Sequence, residues 1–168
     1  MMNDIVIRRA TLDDIPAVTQ MHIDYSAYAN TLQLPYPSTE TWEARLATND
    51  PLVTHFVATL DNTVVGILTL HQPSQQRRKH AASFGITVSQ MHQGKGIGSK
   101  LMQVMVDYCD NWLNIRRIEL EVYATNDNGL GLYKKFGFEQ EGVMRDYAFR
   151  DGQYVDAIMM SRINKNRG

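Results

Sequence analysis

Cysteine is almost absent: Cys109 stands alone in 168 residues. A single thiol forms no internal disulfide, and its place in an apolar helical run predicts a buried, inert group rather than a nucleophile. Also missing is any run approaching the roughly 18 apolar residues of a membrane span, so no insertion into a membrane is expected. The start of the chain alternates Ile5 and Ile7 with polar neighbours and lacks the basic head and apolar block of a signal peptide, which predicts a cytoplasmic protein. Excess charge is missing too. The 17 Lys and Arg oppose 18 Asp and Glu, unlike proteins that neutralise a nucleic-acid backbone, so no nucleic-acid partner is expected. No internal repeat or low-complexity tract is found, no metal is expected, and the length suits one domain over residues 1–168. The one basic cluster, Arg77-Arg78-Lys79, lies in a polar stretch between two strand-like runs and reads as an exposed hairpin loop.

What is present is an alternation of β-rich and helical runs. Residues 5–9 read as a first strand, and Thr11 with Asp13-Asp14 suits the start of a helix expected to reach Tyr28. Residues 30–37 hold two prolines and resist regular structure, after which Ser38 suits the cap of a second helix carrying Trp42, Arg45 and Leu46. Residues 52–60 and 64–71 form two β-rich runs around Asp61-Asn62, a hairpin signal. A fourth strand is expected over residues 81–89, and beyond Gly98 the apolar positions 101, 104, 105, 108 and 112 recur at helical spacing. Residues 118–123 alternate as a fifth strand, Asp127 to Phe136 reads as a helix ended by Gly137, and two strands around Asp151-Gly152 close the chain. This order predicts an α/β fold, a mixed sheet with helices on both faces.

Between the fourth strand and the long helix stands Gln93-Gly94-Lys95-Gly96-Ile97-Gly98. The first amides of a helix lack partners within it, and with the helix dipole they make an anion site for which phosphate is the natural occupant. Glycines at 94, 96 and 98 are expected to take positive φ and let the backbone approach the anion, with Lys95 adding charge. Neither common nucleotide motif fits. No Lys-Ser or Lys-Thr pair follows the last glycine as a P-loop requires, and the spacing G-x-G-x-G after the fourth strand is not the G-x-G-x-x-G of a first-strand dinucleotide fingerprint.

The segment does resemble the Q/R-x-x-G-x-G/A signature of the GNAT superfamily of N-acetyltransferases, through Gln93, Gly96 and Gly98. A second stretch, Asn126, Gly129, Leu132, Tyr133, Gly137 and Phe138, resembles that superfamily's N-x-x-A-x-x-L-Y-x-x-x-G-F pattern, with Gly129 in place of the usual alanine. More narrowly, residues 30–35, 109–113 and 152–156 look like the bacterial L-amino acid N-acetyltransferases that favour phenylalanine and methionine. The resemblance implies a mixed, mostly antiparallel sheet of about seven strands. It also implies acetyl-CoA as co-substrate, held by Ile86, Thr87, Val88, the 93–98 turn, Ser99 and Asn126, and it allows a homodimer. It places Tyr133 beside the thioester sulfur as general acid.

The base is open. No carboxylate lies on the fourth strand, where this superfamily often has a glutamate; Glu119 and Glu121 share one face of the fifth strand with Tyr123, and His80 has a suitable ordinary pKa. Of these Glu121 is the expected base, with a chain of waters as the alternative. Leu32, Tyr36, Phe84 and Tyr147 are expected to line the acceptor site, with Arg145 or Arg150 to hold a carboxylate, which suits a small-molecule amine such as phenylalanine or methionine. The competing readings are a polyamine or protein N-terminal acetyltransferase, a non-catalytic acyl-CoA sensor, and an adapter using the two apolar faces of the long helix.

Overall fold

The computed structural model describes residues 4–166. Its elements are β1 (Ile5–Arg9), α1 (Ile15–Met21), α2 (Tyr25–Ala29), α3 (Thr39–Ala47), β2 (Val53–Leu60), β3 (Thr63–His71), β4 (Ala81–Val88), α4 (Ile97–Asn111), β5 (Arg117–Tyr123), α5 (Asp127–Lys135), β6 (Glu139–Arg150) and β7 (Gln153–Ile163). The strands form a seven-stranded mixed sheet in the order β1-β2-β3-β4-β5-β7-β6, in which β1 with β2, β2 with β3, β5 with β7 and β6 with β7 pair antiparallel and β4 pairs with β5 in parallel. No helix among the described residues is long and apolar enough to cross a membrane.

The chain divides into two compact units, residues 4–71 with 85–106 and residues 72–84 with 107–166. In the first unit, β2 and β3 meet through Asp61 and Asn62, both at positive φ (50° and 62°), the backbone of a tight hairpin turn. Alternate residues of β3 face opposite ways. Ile67 joins Val18, Met21, Trp42, Val57 and Val64 in one buried cluster, so α1 and α3 cover one face. Gly66 faces the other way: a side chain there would meet Ile97 and Leu101, each at 3.1 Å, so α4 packs tightly on the opposite face. The helix spanning 11–28 expected from the sequence is instead broken. Buried His22, its Nδ1–H donating to the Val18 carbonyl at 2.8 Å and its ring 4.4 Å from that of Trp42, ends α1, and the extended Asp24 starts α2 afresh. Tertiary packing of one histidine, with no proline or glycine to announce it, accounts for the break. Ser38 caps α3 as expected, its hydroxyl accepting the Thr41 N–H at 3.2 Å.

In the second unit β4 and β5 pair only over Ala81–Ser83 against Arg117–Glu119, while β5 pairs with β7 along its whole length, from Arg117↔Ile163 to Tyr123↔Ala157. The 76–78 stretch is an exposed turn, as the basic loop was expected to be, but Arg78 reaches Glu119 at 2.5 Å. Cys109 is fully buried on α4; Trp112, read from spacing as part of its apolar stripe, lies beyond the helix end and is 76% exposed.

Two expectations follow. Val at position 66 overfills a space whose neighbours, Ile97 and Leu101, are themselves buried. Gly66→Val should therefore cost about 1–3 kcal/mol in urea unfolding. Burial lowers the His22 and His55 pKa values. The unfolded chain then binds protons first as pH falls through about 6.5, so stability present at pH 7.5 is lost toward pH 5.5. Urea midpoints at the two pH values should show this loss, and His22→Gln should shrink it.

Candidate active site

The residues singled out from the sequence fall into two groups, one in each unit. In the first, β4 ends at Val88, Ser89 donates its N–H to the Val65 carbonyl at 2.8 Å, and a short turn over Gln90–His92 leads to Gln93, whose side-chain amide donates to the Val88 carbonyl at 3.4 Å. Gly94 and Gly96 take φ of +74° and +82°, the left-handed region that glycine tolerates and other residues resist. Nothing lies within 4 Å of where a Cβ would stand on either, so the backbone is open on that side. The Lys100 N–H donates to the Gly96 carbonyl at 3.1 Å as α4 starts, which leaves the amides of Ile97 and Gly98 without an acceptor inside the helix. Gly98 corrects the sequence reading: it sits in the first turn of α4, with helical backbone, and needs no positive φ. Of the residues expected to contact an acceptor, Leu32 and Tyr36 lie in this unit, exposed by 69% and 96%, with Tyr36 at φ 62°.

In the second unit, the local fold of α5 explains the second motif. The Asn126 side chain accepts the Gly129 N–H at 3.0 Å and caps the helix start. An alanine Cβ at 129 would lie 2.7 Å from Asn126 Nδ2, so glycine at this position lets the cap close. At the other end Gly137 turns left-handed at φ +87°, its N–H reaching the Lys134 carbonyl and that of Phe138 the Tyr133 carbonyl, both at 3.1 Å. This is a Schellman cap, and its usual apolar contact is made here by the Tyr133 and Phe138 rings, 6.0 Å apart. Phe84 completes a trio at 5.8 Å from Tyr133 and 5.9 Å from Phe138. Gly137 stops the helix as its residue type predicts, and the closure of Phe138 onto Tyr133 is a contact that the structure shows. The spacing Y-x-x-x-G-F was the available signal. Tyr133 is 9% exposed, and burial pushes its hydroxyl pKa up to about 12.

The three base candidates separate. Glu119 is held between Arg78 at 2.5 Å and Arg117 at 2.6 Å, and Arg117 also grips Glu141, so its carboxylate is committed to an ionic chain. His80 precedes the first residue of β4, and its carbonyl accepts the N–H groups of Arg116 and Arg117. Glu121 is exposed, and its charge helps to raise the Tyr147 pKa, burial being the larger cause. The Tyr147 ring lies 6.2 Å from that of Tyr123, over which Arg150 sits at 5.4 Å while donating to Thr125 Oγ1 at 3.2 Å. Glu121, Tyr147 and Arg150 are therefore gathered around Tyr123, whereas Arg145 lines a groove of about 680 Å³ with Val143, Asp146 and Asp156. Among the described residues no group of three or more His, Cys, Asp or Glu is placed to hold a metal ion.

With this fold and these two motifs, the chain belongs to the acetyltransferase (GNAT) family, whose model matches residues 18–138, and it is an N-acetyltransferase. It is similar to the L-amino acid N-acetyltransferase AaaT of Escherichia coli (strain K12), 45% identical over 162 residues that cover 96% of this chain and 99% of the relative. In fold it resembles the spermidine N-acetyltransferase from Vibrio cholerae in complex with CoA and spermine, at 24% identity and a TM-score of 0.84 over 95% of each chain. It likewise resembles yncA from Salmonella typhimurium, solved with its cofactor acetyl-CoA, at 20% identity and a TM-score of 0.85, covering 96% of this chain and 94% of that one.

Burial, then the charge of Asp110, pushes the Cys109 thiol up to about 12. In native protein at pH 8 it should resist alkylation by iodoacetamide over hours, and react within minutes in denaturant; rapid native labelling would contradict this burial.

Proposed function

We propose that the protein, acting as one N-acetyltransferase domain, transfers the acetyl group of acetyl-CoA to the α-amino group of an L-amino acid with an apolar side chain, phenylalanine or methionine. The observation that carries the cofactor is the turn ahead of α4. Gly94 and Gly96 take left-handed backbones with open sides, and the amides of Ile97 and Gly98 have no acceptor in the helix, an arrangement suited to a pyrophosphate. Gln93, Lys95 and Ser99 flank it, and the backbone of Ile86, Thr87 and Val88 would take the pantetheine arm. What supports the acceptor is the likeness to AaaT along nearly the whole chain.

Acetyl-CoA brings a thioester whose acyl carbon is open to attack by a neutral amine. Glu121, exposed and clear of the Arg78 and Arg117 pairs that hold Glu119, accepts the amine proton directly or through water. A backbone N–H near Val88 stabilises the developing negative charge on the acyl oxygen. Tyr133, kept protonated at every working pH by burial, donates its hydroxyl hydrogen to the departing sulfur. Asn126 supports that group by capping the helix that carries it. Phe84 and Tyr147, both of the second unit, supply apolar contacts for the acceptor side chain, worth roughly 1.5–3 kcal/mol if it is fully enclosed. Arg150, set over the Tyr123 ring against which Tyr147 also lies, is the choice over Arg145 for the carboxylate.

The test is thiol release from acetyl-CoA over free amino acids, spermidine and peptides. Turnover should be confined to apolar L-amino acids, and activity only on spermidine would overturn the acceptor reading. Tyr133→Phe should lower kcat by about 10²–10⁴-fold with little change in acetyl-CoA binding by calorimetry. Gly96→Glu should abolish that binding.

A further inference from the structure

The ladder between β6 and β7 is interrupted where the second group of site residues gathers. Met144 pairs with Ala157 and Ala148 with Val155, so three residues of β6, Arg145 to Tyr147, stand opposite the single residue Asp156. Such a bulge bends its strand and re-aims the side chains it carries. Here it sends Tyr147 to Tyr123, with ring centroids 6.2 Å apart. Within the bulge Asp146 holds a left-handed φ of 50°, a conformation that aspartate tolerates better than most residues but that persists where the surroundings support it. What enforces it is Asp156, whose Oδ1 accepts the Asp146 N–H at 2.9 Å. The same residue's carbonyl accepts the N–H of Ala124, directly after β5, also at 2.9 Å. One residue therefore ties the bulge that carries Tyr147 to the strand end that carries Tyr123 and, two residues earlier, Glu121.

We infer that Asp156 is a positioning residue for the acceptor: by holding Asp146 in its left-handed conformation it sets where the Tyr147 ring stands beside Tyr123 and Glu121. The inference rests on the reading that places Tyr147 at the acceptor site. The Asp156 carboxylate lines an open groove, and its bond to Asp146 is exposed, so water can take over the Asp146 N–H when the carboxylate is removed. The ladder on either side of the bulge remains, and the effect falls on geometry more than on folding. Arg150, tethered to Thr125 and Tyr123, does not depend on this bond.

Steady-state kinetics with acetyl-CoA and L-methionine, paired with thermal melts, test this. Asp156→Ala should raise the KM for L-methionine about tenfold or more, leave the KM for acetyl-CoA within about twofold, and shift Tm little. Asp156→Asn keeps an Oδ1 acceptor and should restore the L-methionine KM to within about threefold of the parent. Asp146→Gly in the Asp156→Ala background should recover part of the loss, because glycine adopts the left-handed backbone without help. A merely structural role would give no such rescue and would raise both KM values together, which would overturn the inference. So would an unchanged L-methionine KM in Asp156→Ala alongside a raised one in Tyr147→Ala, an outcome that leaves the acceptor reading intact. An unchanged KM in Tyr147→Ala overturns the acceptor reading and this inference with it.

Discussion

At Gly66, strand β3 carries no side chain, and Ile97 and Leu101 of α4 fill the space it leaves. Both are buried almost completely, so the first turn of α4 is seated against the strand and cannot slide along it. The chain leaving β4 must reach that seat within a short turn, after Ser89 has been fastened to Val65. Left-handed backbone at Gly94 and Gly96 is the local answer, and the open amides at the helix start follow from it. A close packing contact and the open amides of the helix start are thus two ends of one constraint: the tighter the helix sits, the less freedom remains for the turn that feeds it.

The second unit shows how environment divides groups of the same chemical type. Glu119 and Glu121 lie on one strand face two residues apart, yet Glu119 is drawn into the Arg78–Glu119–Arg117–Glu141 chain and Glu121 is left facing solvent. Tyr133 and Tyr147 divide similarly. Tyr133 is packed against Phe84 and Phe138 by the cap that ends α5, and burial alone keeps its proton on. Tyr147 is presented by a bulge, half-buried, with a carboxylate close enough to be felt. Neither difference is a property of the residue.

Much of the fold was legible because it depends on neighbours in the chain. The hairpins at Asp61-Asn62 and Asp151-Gly152, the Ser38 cap and the glycine stop at 137 are short-range effects, and each stands where the residue types demanded. The departures from expectation have separate causes. The break after α1 comes from His22 packing on Trp42, a contact twenty residues apart in sequence, and Trp112 lost its place in the stripe because α4 ends before it. Gly98 shares the spacing of Gly94 and Gly96, yet it lies inside α4, which begins at Ile97.

The amino-acid sequence by itself determined the order of the strands and of the helices after the broken first one, the turn that suits a pyrophosphate and the helix that carries Tyr133, since periodicity, capping and the conformational freedom of glycine act within a few residues. Only the tertiary structure decided that Glu119 is paired while Glu121 faces solvent, which arginine sits over Tyr123, and how Asp156 holds the bulge. Those depend on which strands lie side by side and in what register, and a register is set by the packing of the whole sheet rather than by any segment of it.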